Sequence, residues 1–164
     1  MSDDSAAGAG RGAGAGLILT PEEADAVAAA ASGYAAVLPP AHAGMYDALA
    51  EAAADGRIPD DLIDAAERVT TVTLQTGRAR RAGLASDEKL LAAVYRRTPA
   101  GKALAGRARE VNQALETLTG RQLKTARVGA IAPGAYTLTL EADGVAVILQ
   151  IGTSGIEIRS LQAG

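Results

Sequence analysis

Hydrophobic positions along this chain follow two successive periods. Between Thr20 and Thr119 they recur every three or four residues, and from Leu123 onward every second residue. The first spacing predicts helices and the second predicts strands. Thr20-Pro21-Glu22-Glu23 is a helix start, with Thr as N-cap, Pro at the first helical position and Glu23 placed to close a capping box. This helix is expected to reach Leu38 and stop at Pro39-Pro40. Its larger side chains, Val27, Tyr34, Val37 and Leu38, stand among alanines, whose small faces allow close helix approach.

A second helix over 42–54 carries Met45, Tyr46 and Leu49 and ends at Asp55-Gly56. Pro59-Asp60-Asp61 opens a third, with Leu62, Ile63, Ala66 and Val69 at helical spacing. The β-branched run Val69–Thr73 disfavours helix. A lone strand there would have no partner, so the helix is carried to Gln75. Ser86-Asp87-Glu88 begins the next helix with two acids near the positive end of its dipole, and Arg96-Arg97 close it at the negative end. Thr98-Pro99 begins the longest helix, which Gly120 stops after Thr119. Leu104, Ala108, Val111, Leu115 and Leu118 fall on one stripe of it at spacings of 4, 3, 4 and 3. Leu104, Val111, Leu115 and Leu118 are therefore the candidate packing seam, too short for a freestanding coiled coil.

Beyond Leu123, residues 136–141 and 145–151 alternate apolar and polar around Asp143-Gly144, a two-residue hairpin signal of the type I′ class. A loop of that length pairs Leu140 with Val147, Leu138 with Leu149 and Tyr136 with Ile151, all on one face. Gly152-Thr153-Ser154-Gly155 is a second turn, leading to a strand over 156–161 that pairs Ile151 with Ile156 and Leu149 with Ile158. The expectation is a three-stranded antiparallel meander with one apolar face, and residues 123–131 have room for a short fourth strand. Three strands need cover, and the long helix just upstream is the natural lid.

The first residues, MSDDSAAGAGRGAGAG, offer almost nothing to bury and read as a disordered Gly/Ala arm. The spacing G-x-G-x-x-G is absent from it, so a nucleotide loop is not indicated. The fold class expected is α+β in one domain: a flexible arm over 1–19, a helical region of four to five helices over 20–120, and a β-meander over 121–164 packed on the last helix. No basic stretch followed by an apolar one marks a secretory signal. No run approaches the ~18 apolar residues of a membrane span. The expected location is the cytoplasm.

Composition narrows the chemistry. With 164 residues the chain can bury a core without disulfides or a structural metal. It has no Cys and one His, which removes disulfide frameworks, thiol catalysis, Fe–S clusters and multi-His centres. The net charge of −3 conceals an asymmetry: residues 1–68 sum to −9, residues 69–127 to +8 and residues 128–164 to −2. A basic middle is a solvated helix surface, or it meets an acidic protein surface, or it contacts phosphate. No aromatic residues interleave the basic ones, so base stacking is not indicated.

No catalytic constellation stands out in the sequence. His42 has no identifiable nucleophile beside it. Glu22/Glu23 and Asp60/Asp61 sit at helix starts, where the dipole explains them. The serines lie in neither G-x-S-x-G nor S-x-x-K. The expected function is therefore non-enzymatic, without metal or cofactor: an assembly, scaffold or accessory subunit that contacts itself or another protein, and no membrane. The alternative is a nucleic-acid-binding regulator using segment 78–127, whose helix, helix and hairpin follow a winged-helix-like order. The residues expected to contact phosphate or an acidic partner are Arg78, Arg80, Arg81, Arg121, Lys124 and Arg127.

Overall fold

Thr20 begins the first helix through the reciprocal bonds its sequence foretells. The Glu23 amide donates to Thr20 Oγ1 at 3.3 Å, and the Thr20 amide donates to Glu23 Oε2 at 3.0 Å. The computed structural model describes residues 16–77, 85–153 and 155–163. Within them the chain divides into two units between Thr98 and Pro99. The α+β class is as expected.

The first unit is helical. Helices α1 (Pro21–Ala35), α2 (Pro40–Ala54), α3 (Ile63–Thr76) and α4 (Ala85–Arg97) surround one core. Alanines 24, 26, 31 and 35 of α1 are buried beside Val27, and α2 brings Tyr46 and Leu49 against them. Tyr34 and Tyr46 meet edge to face with ring centroids 4.7 Å apart, a geometry the ring quadrupoles favour.

The β-branched run does remain helical. Val69 and Thr70 are fully buried. The Thr70 hydroxyl donates to the Ala66 carbonyl at 2.7 Å, so burying it leaves no polar group unpaired. Gly77, at φ 60°, ends α3 in the left-handed conformation that glycine adopts most readily.

This unit departs from the expectation at several points: α1 ends at Ala35 and not Leu38, α2 starts at Pro40 and not at 42, and a 3-10 turn over Asp60–Leu62 precedes α3. Leu17–Ile18, assigned to the arm, form strand β1, which pairs antiparallel with β2 (Arg57–Ile58). Leu19 then enters the core. A side chain at Gly16 would collide with the Ile58 carbonyl oxygen, so the close approach depends on glycine there. Arg97 also has a longer reach than a helix-end charge needs. Its guanidinium donates to the Ile18 carbonyl at 2.9 Å and to the buried Glu23 carboxylate. One side chain thus ties the end of α4 to strand β1 and to the α1 capping box. The rest of the expected arm, residues 1–15, lies outside the described residues.

The second unit is α5 (Pro99–Glu116) and a four-stranded antiparallel sheet, β3 (Leu123–Ala132), β4 (Ala135–Ala142), β5 (Val145–Gly152) and β6 (Gly155–Ala163), in that spatial order. After Glu116 the helix tightens through three successive i to i+3 bonds and turns out at Gly120, φ 74°. The three-stranded expectation is corrected to four, with β3 ten residues long. The overlooked signal is Pro133-Gly134. Proline pre-sets the first turn position and Gly134, at φ 76°, supplies the positive angle of the second, so two residues suffice to reverse the chain.

The expected pairs are all present: Leu140–Val147, Leu138–Leu149, Tyr136–Ile151, Ile151–Ile156 and Leu149–Ile158. The first hairpin keeps its two-residue loop but not the type I′ form. That form needs positive φ at both positions. Only Gly144 has it, at 70°, and no non-glycine residue among those described does. A register shift at Ile148/Leu149 marks a bulge in β6, after which Leu161 opposes Val147.

Candidate protein–protein interface

The two faces of the sheet follow from its register. On one face Ala126, Val128 and Ala130 of β3 oppose Leu140, Leu138 and Tyr136 of β4. Val147, Leu149 and Ile151 of β5 continue these rows, and Ile158 and Ile156 of β6 complete two of them. On the other face Thr125 opposes Glu141, Arg127 opposes Thr139 and Gly129 opposes Thr137. One face is apolar from edge to edge, and the other is mostly polar, with Ile148 and Ala146 of β5 among its polar residues.

Helix α5 lies across β6 and β5. Val111 and Ala114 are buried there, and Leu115 and Leu118 pack beside them against Val145, Val147 and Leu149. Three members of the candidate seam, Val111, Leu115 and Leu118, thus meet the sheet. The fourth, Leu104, reaches the β5–β6 turn, where a side chain on Gly155 would come within 3.0 Å of its Cδ1.

Cover stops halfway across. Along the row Leu149, Leu138, Val128, exposure rises from 1% at Leu149, through a half-buried Leu138, to 65% at Val128. Tyr136 and Ile151, at one end of the face, are 43% and 37% exposed, and Leu123, at the other, is 51% exposed. The reason is dimensional. A helix is ~10 Å across and strands lie ~4.8 Å apart, so one helix covers about two strands. This sheet has four. β3 is in addition an edge strand, with a row of backbone groups that no neighbouring strand pairs.

The basic candidates are distributed differently. Arg78, Arg80 and Arg81 lie outside the described residues. Arg121 and Lys124 converge on the β4–β5 hairpin. Arg121 donates from Nε to the Thr117 carbonyl at 2.9 Å and from a terminal nitrogen to the Asp143 carbonyl at 2.6 Å. Lys124 Nζ is 3.0 Å from Asp143 Oδ1. That ammonium, first by its hydrogen bond and then by its charge, holds the Asp143 carboxyl below its ordinary value. Arg127 is exposed on the polar face. The two helices that a winged-helix-like order would pair, α4 and α5, belong to different units. The unit boundary also divides the basic stretch, leaving six of its twelve cations on each side.

The remaining polar candidates have structural surroundings. Glu22 is held below its usual carboxylate value by its own backbone amide and then by Thr20, and Glu23 by geometry belongs to the capping box and the Arg97 bridge. His42 is exposed in the first turn of α2. Among the described residues no cluster of three His, Asp or Glu side chains could hold a metal ion. A hollow lined by Arg107, Gln150, Gly152, Gly155, Ile156 and Glu157 measures about 20 Å³, room for one water. Among the described residues no helix is long and apolar enough to cross a membrane. No protein-family model, curated protein or solved structure matches the chain.

Proposed function

We propose that this chain is a non-enzymatic assembly or accessory subunit, acting in the cytoplasm through protein–protein contacts. The observation that supports this reading is the half-covered sheet. Val128, Tyr136, Ile151 and Leu123 share one face and stand in water. A strip two strands wide and nine residues long measures roughly 10 by 30 Å. The largest contiguous apolar patch of a soluble monomer is commonly a few hundred Å² and is often functional. Covering it returns ~25 cal/mol for each Å² of apolar surface removed from water.

Size-exclusion chromatography with light scattering on the full chain tests the reading. A mass above the 16.4 kDa of one chain, or a stable complex with a second protein, supports it. A strict monomer that binds no protein overturns it. Absorbance at 260 and 280 nm, recorded together, separates the nucleic-acid alternative. The chain has four Tyr and no Trp, so bound nucleic acid would dominate its spectrum. A high ratio that a salt wash removes would replace an assembly role with phosphate binding.

A further inference from the structure

We infer that the open half of the sheet is closed by the same half of a second copy, sheet on sheet, in a two-fold dimer. This deepens the assembly reading and rests on it. Three features of the second unit select a copy of this chain as the occupant.

The first is side-chain size. On the uncovered strip the β3 row carries Ala126, Val128 and Ala130, while the adjacent β4 row carries Leu140, Leu138 and Tyr136. A two-fold axis running along the strands, midway between β3 and β4, places each β3 row over the partner's β4 row. Small side chains then face large ones, and the two layers interdigitate. A two-fold contact must be self-complementary in this sense.

The second is thickness. Packed sheets lie ~10 Å apart, about the diameter of a helix. The partner's sheet therefore fits level with α5, in the step where α5 ends. The same rotation brings the partner's α5 alongside the open edge of β3. One operation covers both the apolar strip and the β3 edge beside it; the β6 edge, with Leu161, lies at the far side of the sheet.

The third is area. The strip, with Ile151 and the flank of α5, presents on the order of 500 Å² per copy, or about 1,000 Å² for the pair. That reaches the lower bound for a specific interface and suits a dimer that exchanges at low concentration.

The test uses the full chain, its Val128→Glu variant and an Arg127→Glu control, whose side chain lies on the opposite face. Light scattering should give twice 16.4 kDa for the parent and the control, and 16.4 kDa for Val128→Glu at the same concentration. Val128 is 65% exposed, so the variant should keep the parent's far-ultraviolet circular dichroism. If it does not, Tyr136→Glu, at a second exposed site of the strip, takes its place. The chain has no Cys, so Val128→Cys gives a single cross-linking position. A short bismaleimide should join two copies through it and should not do so through Arg127→Cys.

The outcomes separate the two claims. A dimer that survives Val128→Glu and Tyr136→Glu overturns this interface and leaves the assembly reading standing. A parent that is monomeric throughout overturns the second copy as occupant. The assembly reading then falls as well, unless a protein partner is found whose binding Val128→Glu abolishes.

Discussion

The two units of this chain solve the same packing problem with different completeness. In the first, four α-helices and a two-residue ladder among the described residues enclose Leu49, Ile58, Leu91, Val27, Val69 and Val94, each less than 2% exposed. In the second, Val147 and Leu149 reach that level, while Leu123, Val128, Ile131, Tyr136, Ile151 and Leu161 remain exposed. The difference lies in the ratio of covering elements to surface. Helices cover one another on several sides, whereas a four-stranded sheet with one apolar face needs about two helices and among the described residues has one. A half-closed layer is a surface for association.

The separateness of the cores is the part of the comparison most open to attack. Leu91→Ala in the first unit and Leu149→Ala in the second should each cost about 3 kcal/mol, as truncating a fully buried leucine does. Each should lower the unfolding of its own unit and leave the other in place, read by hydrogen exchange along urea denaturation. If both substitutions shift a single transition together, the two cores act as one cooperative body.

Arg97→Ala tests how the first unit is tied together. It removes a charged donor from Glu23, which is largely buried, and from the Ile18 carbonyl. The loss should be about 2 kcal/mol, below that of a fully buried pair because the Arg97 side chain is 41% exposed. Amide protection should fall first at Leu17–Leu19. Protection that falls uniformly over the unit would mean that β1 is held by its own ladder.

Gly155→Ala probes the closed half of the second unit. Gly155 has φ 112°, and a Cβ there would stand 3.0 Å from Leu104 Cδ1. The backbone angle alone disfavours alanine by about 1 kcal/mol, and the crowding adds to it. The second unit should lose stability in thermal unfolding and the first should not.

The smallest effect belongs to the exposed Asp143–Lys124 pair. The Asp143 carboxyl is held below its ordinary 3.8 by Lys124. Its contribution is therefore complete above that value and disappears as pH falls from it through the lower folded value. Asp143→Asn keeps a turn-compatible residue and should remove that part of the acid dependence of the second unit. An unchanged slope between pH 4 and pH 2 would assign the pair no role in stability.

Much of the second unit was legible from period and loop length. Once Asp143-Gly144 is taken as a two-residue loop, pleat geometry pairs Leu138 with Leu149 without further choice. The fourth strand was only partly legible, because β3 carries small residues, Ala126, Gly129, Ala130 and Ala132, that blur its alternation. Pro133-Gly134 was the clearer sign. The bridge from Arg97 to Glu23 spans 74 residues and leaves no local trace, since either residue alone is explained by its own helix end. Leu17–Ile18 look like the end of an arm because their partner, Arg57–Ile58, is itself only two residues long.

The sequence by itself determined the helix starts at Thr20-Pro21 and Thr98-Pro99, the Asp143-Gly144 turn and the in-or-out parity of the strands around it. These depend on hydrogen bonds and torsions among residues a few positions apart. Only the tertiary structure decided that the other helices form a core of their own, and that the last helix, expected as the lid of the sheet, covers two strands of four. Such outcomes depend on how widths, areas and distant side chains fit together, and no local spacing encodes that fit.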